Sequence, residues 1–342
     1  MTPAPEPARA AGERVVAVVV DYDTGDVLAD CVGSLLAAGL RKVVVVENGR
    51  AGAARAVLAA RNLDVPVVAP GRNVGYGAGA NRGLAAARGV GGGPEGPAGG
   101  AGSDGGAGSD GGAEAGTEAG TEAGAEAGAE LALVCNPDLL VHPGALEALV
   151  AALDAEPSWA IVGPRILTSG GQVYPSVRHF PSMADAAGHA LLGLFDPENR
   201  FSRRYRPLDA GGTERAEADW VSGACFLARM AALEELGGFD EAYFMFAEDM
   251  DLCWRAHEAG WGVGVEPAAV VTHSGGLSRR RHPYRMLVAH HRSALRFAVR
   301  STHGWRRVAL PLAAAVLGVR LLLATAGEAR RHHTAPAAGA VQ

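Results

Sequence analysis

The 342-residue sequence predicts an α/β fold, a mainly parallel sheet with helices on both faces, followed by a helical tail. Two observations carry that expectation. Short runs of Val, Leu and Ala, too brief for helices, stop at polar turns, and between them apolar residues return at helical spacing. A third sets the scale: 48% of the residues are hydrophobic, enough for one large or two ordinary domains with a sizeable core.

In chain order, residues 1–13 are Pro/Ala-rich and read as disordered. Residues 15–20 are wholly apolar and end at Asp21, a buried strand. Residues 27–38 place Val27/Leu28, Cys31/Val32 and Leu35/Leu36 on one helical face, stopped by Gly39. A second strand (43–46) ends at Glu47-Asn48-Gly49, and a helix (51–61) leads to a third (65–68). Residues 83–90 continue as a helix. After a foreign segment, 91–130, come strand 131–135, the Asn136-Pro137-Asp138 corner and a helix over 143–154 with Pro143 in its first turn. Short strands follow at 160–162 and 224–228. The apolar stretch 233–236 ends at Gly237-Gly238, a helix over 250–259 stops at Gly260, and strands at 263–265 and 269–272 complete the pattern.

The segment 91–130 holds 16 Gly, 10 Ala and 8 acids without a Lys or Arg, so it cannot bury enough apolar surface to offset its ordering entropy. It is expected as a flexible loop inserted within one domain. It also carries the acidity: the chain is at −6 and the insert contributes −8, leaving the rest at +2. The four cysteines lie far apart with no CxxC pair, which excludes a disulfide scaffold and zinc knuckles and fits a reducing compartment. The first 14 residues show no apolar core of signal-peptide length, so a cytoplasmic location is expected.

Open α/β sheets bind ligands at the carboxyl ends of their strands. The groups there are Asp21-Tyr22-Asp23, Glu47-Asn48-Gly49, Arg72-Asn73-Val74-Gly75 and Asn136-Pro137-Asp138. The glycine-rich 73–83 invites a dinucleotide reading, but GxGxxG started at Gly75 ends on Ala80, and started at Gly77 ends on Arg82. With no GxxxxGK[ST] either, nicotinamide-dependent dehydrogenases and P-loop NTPases are set aside. Asp138, just past a buried strand, either holds a hard divalent cation near a diphosphate or caps the helix that follows. His273, past another apolar strand, is either structural or a second ligand of the same cation. Within 237–255, Asp240, Glu241, Glu248, Asp249 and Asp251 interleave with five aromatics. Glu248 and Asp249 precede a helix, and suit either its N-terminal dipole or a base shielded from bulk water.

Taken in order, the DYD and ENG strand ends, GRNVGYGAGANRG, LVCNPDLLVHPGAL, the long motif from Trp220 to Trp261 and VVTHSGG resemble glycosyltransferase family 2. Within it the sequence looks like the bacterial rhamnosyltransferase and galactofuranosyltransferase branch, over about residues 14–300 apart from the insert. The resemblance implies a GT-A fold, Rossmann-like, spanning 14–276, and an inverting enzyme that uses a nucleoside-diphosphate sugar with Mg²⁺ or Mn²⁺. It implies Asp138 and His273 as metal ligands beside Asn136, and Asp249 as general base with Glu248. It places Tyr22, Asp23, Glu47 and Asn48 toward the nucleoside, and Arg72, Asn73, Gly75 and Asn81 along the donor diphosphate and sugar. Trp220, Ser222, Gly223 and Ala224 would line the boundary between donor and acceptor. dTDP-L-rhamnose is the expected donor, and a glycan or polyprenyl-diphosphate-linked molecule of cell-envelope polysaccharide synthesis the acceptor. The family's first turn usually reads Thr/Ser–aromatic–Asn and its second Asp-Asn-Gly-Ser. The departures here touch the nucleotide pocket, and they also admit a degenerate domain that binds without turnover. A nucleotidyltransferase is disfavoured because its basic phosphate loop is missing.

Residues 277–342 form the tail. From 277 to 307 there are nine arginines and four histidines with no acid, and 308–326 is apolar except for Arg320. Arg320 argues against a simple span, since a charge at mid-membrane costs about 2.5–3.5 kcal/mol even on the lenient insertion scale. The expectation is a helix lying on the inner membrane face, its arginines on anionic headgroups. A helix folded back on the catalytic domain is the alternative. No nucleic-acid-binding motif accompanies the basic stretch, so nucleic acid is not an expected partner.

Overall fold

A computed structural model describes residues 9–89, 128–180, 196, 199, 212–275 and 283–334. Its main sheet grows outward from β1 (Val15–Asp21), all seven residues of which are buried. β1 pairs in parallel with β2 (Lys42–Glu47) on one side and β4 (Leu131–Cys135) on the other, and β2 continues to β3 (Val67–Val68). Beyond β4 the order is β10 (Cys225–Arg229), β6 (Trp159–Thr168), β11 (Gly262–His273) and β5 (Leu139–Val141), with β8 (Ala216–Glu217) also paired to β11. β6 and β11 are parallel, whereas β10 runs antiparallel to both of its neighbours. Cys225 pairs with Cys135, so β10 starts where β4 ends. That reversal brings residues 222–224 beside the Asn136-Pro137-Asp138 corner. β7 (Val177–Arg178) and β9 (Trp220–Val221) form a separate two-stranded ladder.

Helices cover both faces. α2 (Asp26–Ala37), α3 (Ala53–Ala60) and α5 (Ala145–Ala155) join one core cluster with the side chains of Val15, Ala17 and Val19. α4 (Tyr76–Gly89), α6 (Met230–Glu235) and α7 (Glu248–Glu258) join the other with Val16, Val18 and Val20. Each fully buried aliphatic side chain contributes about 1.5–3 kcal/mol, which is why an uninterrupted Val/Ala run reads as a central strand.

Several boundaries differ from the sequence expectation for local reasons. Disorder was expected through residue 13, yet α1 (Ala11–Arg14) makes a turn there. Gly12 sits too close to the Gly39 carbonyl for any Cβ, and Arg9 and Arg14 pair with Glu130 at 3.2 and 3.0 Å. Residues 1–8 and the insert from 91 to 127 lie outside the described residues. α3 starts at Ala53, after left-handed Gly52, and α5 at Ala145, after left-handed Gly144, so Pro143 lies outside its helix. The two strands expected at 263–265 and 269–272 are one, β11, whose register against β6 slips between Glu266 and Val270, around the N–H-less Pro267.

The glycine-rich segment is mostly helix. Residues 73–75 turn the chain, and the rest forms α4, whose glycines admit a close approach to the sheet. A Cβ on Gly83 would drive into Val18 Cγ1 and stand 2.9 Å from Val46 Cγ2, whereas Gly89 faces open space. Gly83→Ala is therefore expected to lower the denaturation midpoint. Overpacking costs about 1–3 kcal/mol, against about 1 kcal/mol gained in helix propensity. Gly89→Ala is expected to raise the midpoint or leave it unchanged, and parallel chemical melts of the two variants check the pair.

The tail divides in two. α8 (Pro283–Ser301) folds back on the catalytic domain, burying Met286, His291, Ser293 and Phe297. Phe297 stacks on Phe180 at 6.2 Å and meets Trp254 edge-on at 5.8 Å. The arginines expected to face headgroups are thus partly engaged within the protein: Arg296 and Arg300 pair with Asp240 at 2.7 and 2.8 Å. α9 (Leu310–Thr334) follows a 3₁₀ turn over Gly304–Ala309 and stands clear of the core. The stretch Gly304–Gly327 is long and apolar enough to cross a membrane by length and composition, and none of it is buried. Residues 277–282 and 335–342 of the tail lie outside the described residues.

Candidate active site

The first half of the site is the corner after β4. Residues 136–138 turn the chain into β5, which pairs antiparallel with β11 so that Leu139 lies opposite His273. That register sets His273 Nε2 3.1 Å from Asp138 Oδ1. The other carboxylate oxygen accepts the Gly275 amide at 2.9 Å. Because β5 intervenes before α5, Asp138 is not a helix cap, which removes the alternative reading. Asn136 Nδ2 stands 3.1 Å from the same ring nitrogen, and Tyr174 meets the imidazole edge-on at 5.8 Å. His273 Nδ1 is buried without a hydrogen-bond partner among the described residues.

This donor set fits a hard divalent cation. Octahedral ligands about 2.1 Å from a metal lie about 3.0 Å apart along a cis edge, close to the observed Oδ1–Nε2 separation. Among the described residues there is no cluster of three His, Cys, Asp or Glu side chains able to hold an ion. An ion held by Asp138 and His273 alone would leave its other positions to phosphate and water.

The second half is the entry to α7. Phe246 and Ala247 are both left-handed, at φ 69° and 62°. Such backbone in residues other than glycine costs about 1–3 kcal/mol each and persists only where neighbours enforce it. Glu248 and Asp249 prove to be the first two helical residues, rather than preceding the helix. Asp249 Oδ2 accepts the Gly223 amide at 2.7 Å and Oδ1 the Met250 amide at 2.8 Å. Glu248 is buried, and its Oε2 has no partner among the described residues. Burial pushes the carboxyls of both above the usual range; the negative charge of Asp249 adds to this at Glu248, and the Gly223 and Met250 amides restrain Asp249.

The two halves meet at residues 222–224. Gly223 holds Asp249, and the next carbonyl, that of Ala224, accepts the Asn136 amide at 2.9 Å. Ser222 Oγ accepts the Ala224 amide at 3.3 Å, and Tyr76 donates its hydroxyl to the Gly223 carbonyl at 2.6 Å. Trp220 is buried, its indole on the His179 carbonyl at 3.2 Å, with the Arg178 guanidinium 5.2 Å above its ring centre. Residues 222–224 thus link the Asp249 carboxylate to the corner that carries Asp138 and His273.

The side expected to face the nucleotide differs more from expectation. Glu47, expected toward the nucleoside, is buried with both oxygens accepting backbone amides, Gly52 at 2.7 Å and Ala54 at 2.9 Å. It caps α3, because residue 47 ends β2 directly beneath the start of that helix. Asn48 and Asn73 shape the 73–75 turn instead of pointing outward: Asn48 accepts the Val74 amide at 2.8 Å and donates to the Gly75 carbonyl at 2.9 Å. Asn73 Oδ1 takes the Gly75 amide at 2.9 Å. Gly75 itself, at φ 93°, lies so close to the Phe244 carbonyl that a Cβ would collide with it. Asn81 pins α4 to the backbone of Phe239, donating and accepting at 2.9 Å. Tyr22 and Asp23 are half-buried and Arg72 is exposed at the same edge. Asp23, left-handed at φ 54°, accepts the Arg50 amide at 2.9 Å. Asp21 lies beneath them, bonded to Thr24, and burial raises its pKa.

The profile described as "Glycosyltransferase like family 2" matches residues 12–296. The chain belongs to this glycosyltransferase family. It is 34% identical over 86% of its length to the N-acetylglucosaminyl-diphospho-decaprenol L-rhamnosyltransferase of Mycobacterium tuberculosis, covering 86% of that protein. It is 29% identical to the rhamnosyltransferase WbbL of Escherichia coli over 36% of this chain and 44% of that one. Among solved structures, a mannosyltransferase of Pyrobaculum calidifontis, in complex with GDP-Man and Mn²⁺, superposes with a TM-score of 0.50 at 15% identity, over 92% of this chain and 75% of that one. The glycosyltransferase thus has the GT-A fold with an added C-terminal helix.

Three residues around this glycosyltransferase's site escaped the sequence reading. Tyr76 hides in the glycine-rich motif, Tyr174 lies between elements, and Arg178 sits on a strand of two residues, too short to show a period.

Proposed function

We propose that the protein is an inverting rhamnosyltransferase. It transfers L-rhamnose from dTDP-L-rhamnose to a polyprenyl-diphosphate-linked N-acetylglucosamine at the inner face of the cytoplasmic membrane, in cell-envelope polysaccharide synthesis. The carrying observation is the shared 222–224 turn, which ties the Glu248–Asp249 carboxylate pair to the Asp138–His273 corner. Identity to the mycobacterial enzyme along most of both chains supports the choice of sugar and acceptor.

In this reading the acceptor hydroxyl approaches Asp249, whose carboxylate takes its proton as the oxygen attacks the anomeric carbon from the face opposite the diphosphate. One displacement inverts that carbon. Glu248 is buried and Asp249 half-buried, which limits bulk water around the attacking oxygen. Asp138 and His273 would hold Mg²⁺ or Mn²⁺, which when bound neutralises charge on the departing diphosphate. Tyr22, Asp23 and Arg72 line the nucleotide edge, while Glu47, Asn48, Asn73 and Asn81 keep its loops in place. Trp220 and residues 222–224 separate donor from acceptor. The domain proper runs from residue 14 to 276, and the exposed apolar α9 lies at the bilayer, where a lipid-linked acceptor is found.

The test is transfer from a panel of nucleotide sugars to a synthetic polyprenyl-diphosphate N-acetylglucosamine, with Mn²⁺ or with chelator. Rhamnosylated product of inverted anomeric configuration, formed only with metal, is the expected result. Donor binding without transfer to any acceptor would instead favour a binding domain without turnover. A pH dependence follows as well. The base must be ionised and its pKa is raised, so kcat/KM is expected to fall with acidity along a limb above the ordinary aspartate value of about 3.9. Glu248, Tyr76, Cys253 and Arg178 are the other titratable or charged groups electrostatically coupled to Asp249. Rate profiles from pH 4 to 9 (about five units, spanning the carboxylate range) check the position of the limb.

A further inference from the structure

The left-handed turn that leads into α7 is clamped from two sides. From α4, the Tyr76 amide donates to the Phe244 carbonyl at 3.0 Å, and Gly75 presses against the same group. From α8, Ser293 Oγ donates to the Met245 carbonyl at 2.9 Å, and His290 meets the Phe246 ring edge-on at 5.4 Å. Arg300 reaches further, with Nη2 2.8 Å from Asp240 Oδ2 and Nε 2.8 Å from Asp251 Oδ1. Asp251 is fully buried within α7, about one turn after Glu248, and also accepts the Tyr243 hydroxyl at 3.1 Å and Arg255 Nε at 2.7 Å. α8 thus grips the chain both before and after the Glu248-Asp249 pair.

We infer that α8 belongs to the catalytic apparatus, with Ser293 holding the turn at Met245 and Arg300 holding Asp240 and Asp251 on either side of it, as positioning residues that together aim Asp249. This rests on the reading of Asp249 as the base. Left-handed residues other than glycine relax when their neighbours let go. Relaxation here turns the first residues of α7 and carries Asp249 away from Gly223. The domain therefore extends functionally past residue 276, and the helix leading to the apolar α9 is mechanically joined to the base.

The experiment compares full-length Ser293→Ala, Arg300→Gln and Arg300→Lys with Arg292→Gln, whose side chain is exposed on the same helix. Rhamnosyl transfer gives kcat, and calorimetry with dTDP-L-rhamnose and Mn²⁺ gives donor affinity. Ser293→Ala and Arg300→Gln are expected to lower kcat by about 10- to 100-fold, as displacements near 1 Å do, with donor affinity unchanged. Arg300→Lys should recover part of the loss, and Arg292→Gln should match the unsubstituted chain. Wild-type kcat in Ser293→Ala and Arg300→Gln would overturn the inference. So would a loss shared equally by kcat, donor affinity and melting temperature, which marks a general structural role. Asp249→Asn run in the same assay separates the two levels: if it is inactive while the α8 variants are normal, only this inference fails, and if it is fully active both readings fail.

Discussion

Asp249→Asn is expected to abolish rhamnosyl transfer while the protein still folds and binds its donor. Asparagine keeps the shape of the side chain and one oxygen, which can still accept the Gly223 amide at the 2.7 Å contact, while its Nδ2 then replaces the oxygen that accepted the Met250 amide. What disappears is the ability to take a proton. General-base catalysis is worth about 10²–10⁴-fold, and kcat should fall by that amount. The melting temperature should change little, because the lost acceptor for the Met250 amide is set against removal of a carboxylate that burial penalises. Glu248→Gln separates the two acids. Its Oε2 has no partner among the described residues, and burial with the nearby charge of Asp249 pushes its carboxyl well up, so a smaller kinetic effect is expected. Initial rates at saturating donor, with thermal melts alongside, check both variants.

The second large effect is expected at the Asp138–His273 corner. His273→Ala removes the ring nitrogen that lies 3.1 Å from Asp138 Oδ1, and Asp138→Asn removes the negative charge while leaving the Gly275 amide an acceptor. Stabilisation of a leaving diphosphate by a cation is worth several kcal/mol, hence at least about 10²-fold in rate. Both variants should lose the response to added Mn²⁺ together with that factor. Had these residues only structural work, the loss would appear in stability, and the remaining activity would keep its metal response. Rates measured across a Mn²⁺ titration distinguish these outcomes.

The first strands were legible because their physics is local. A run such as Val15–Asp21 has no other way to satisfy seven buried positions, and the helical spacing of 27–38 needs no distant partner. The turns at their ends could be located for the same reason, and with them Asp138, His273 and Asp249. What those turns do with their side chains could not be read so directly. Glu47 sits at a strand end like the others, but its task is set by where α3 starts, which depends on Gly52 adopting a left-handed conformation. Asn48 and Asn81 bond backbone more than 25 residues away, and Asn73 meets the Asn48 side chain 25 residues away, pairings that spacing cannot reveal. β5 is three residues long and β10 is reversed, and both depend on long-range pairing with strands far along the chain. The partners of the basic stretch were hidden for a related reason: Arg296 and Arg300 meet Asp240 and Asp251 only once the fold brings those acids beside α8.

The most direct measurement is calorimetric titration of dTDP-L-rhamnose, with and without Mn²⁺, into Asp249→Asn and His273→Ala in parallel. If the corner holds the donor through a cation and Asp249 serves the acceptor hydroxyl, Asp249→Asn binds donor in a Mn²⁺-dependent way and His273→Ala does not. Donor binding that ignores Mn²⁺ in the unsubstituted protein, or that is lost in Asp249→Asn and kept in His273→Ala, would contradict the division of labour between the two halves of the site.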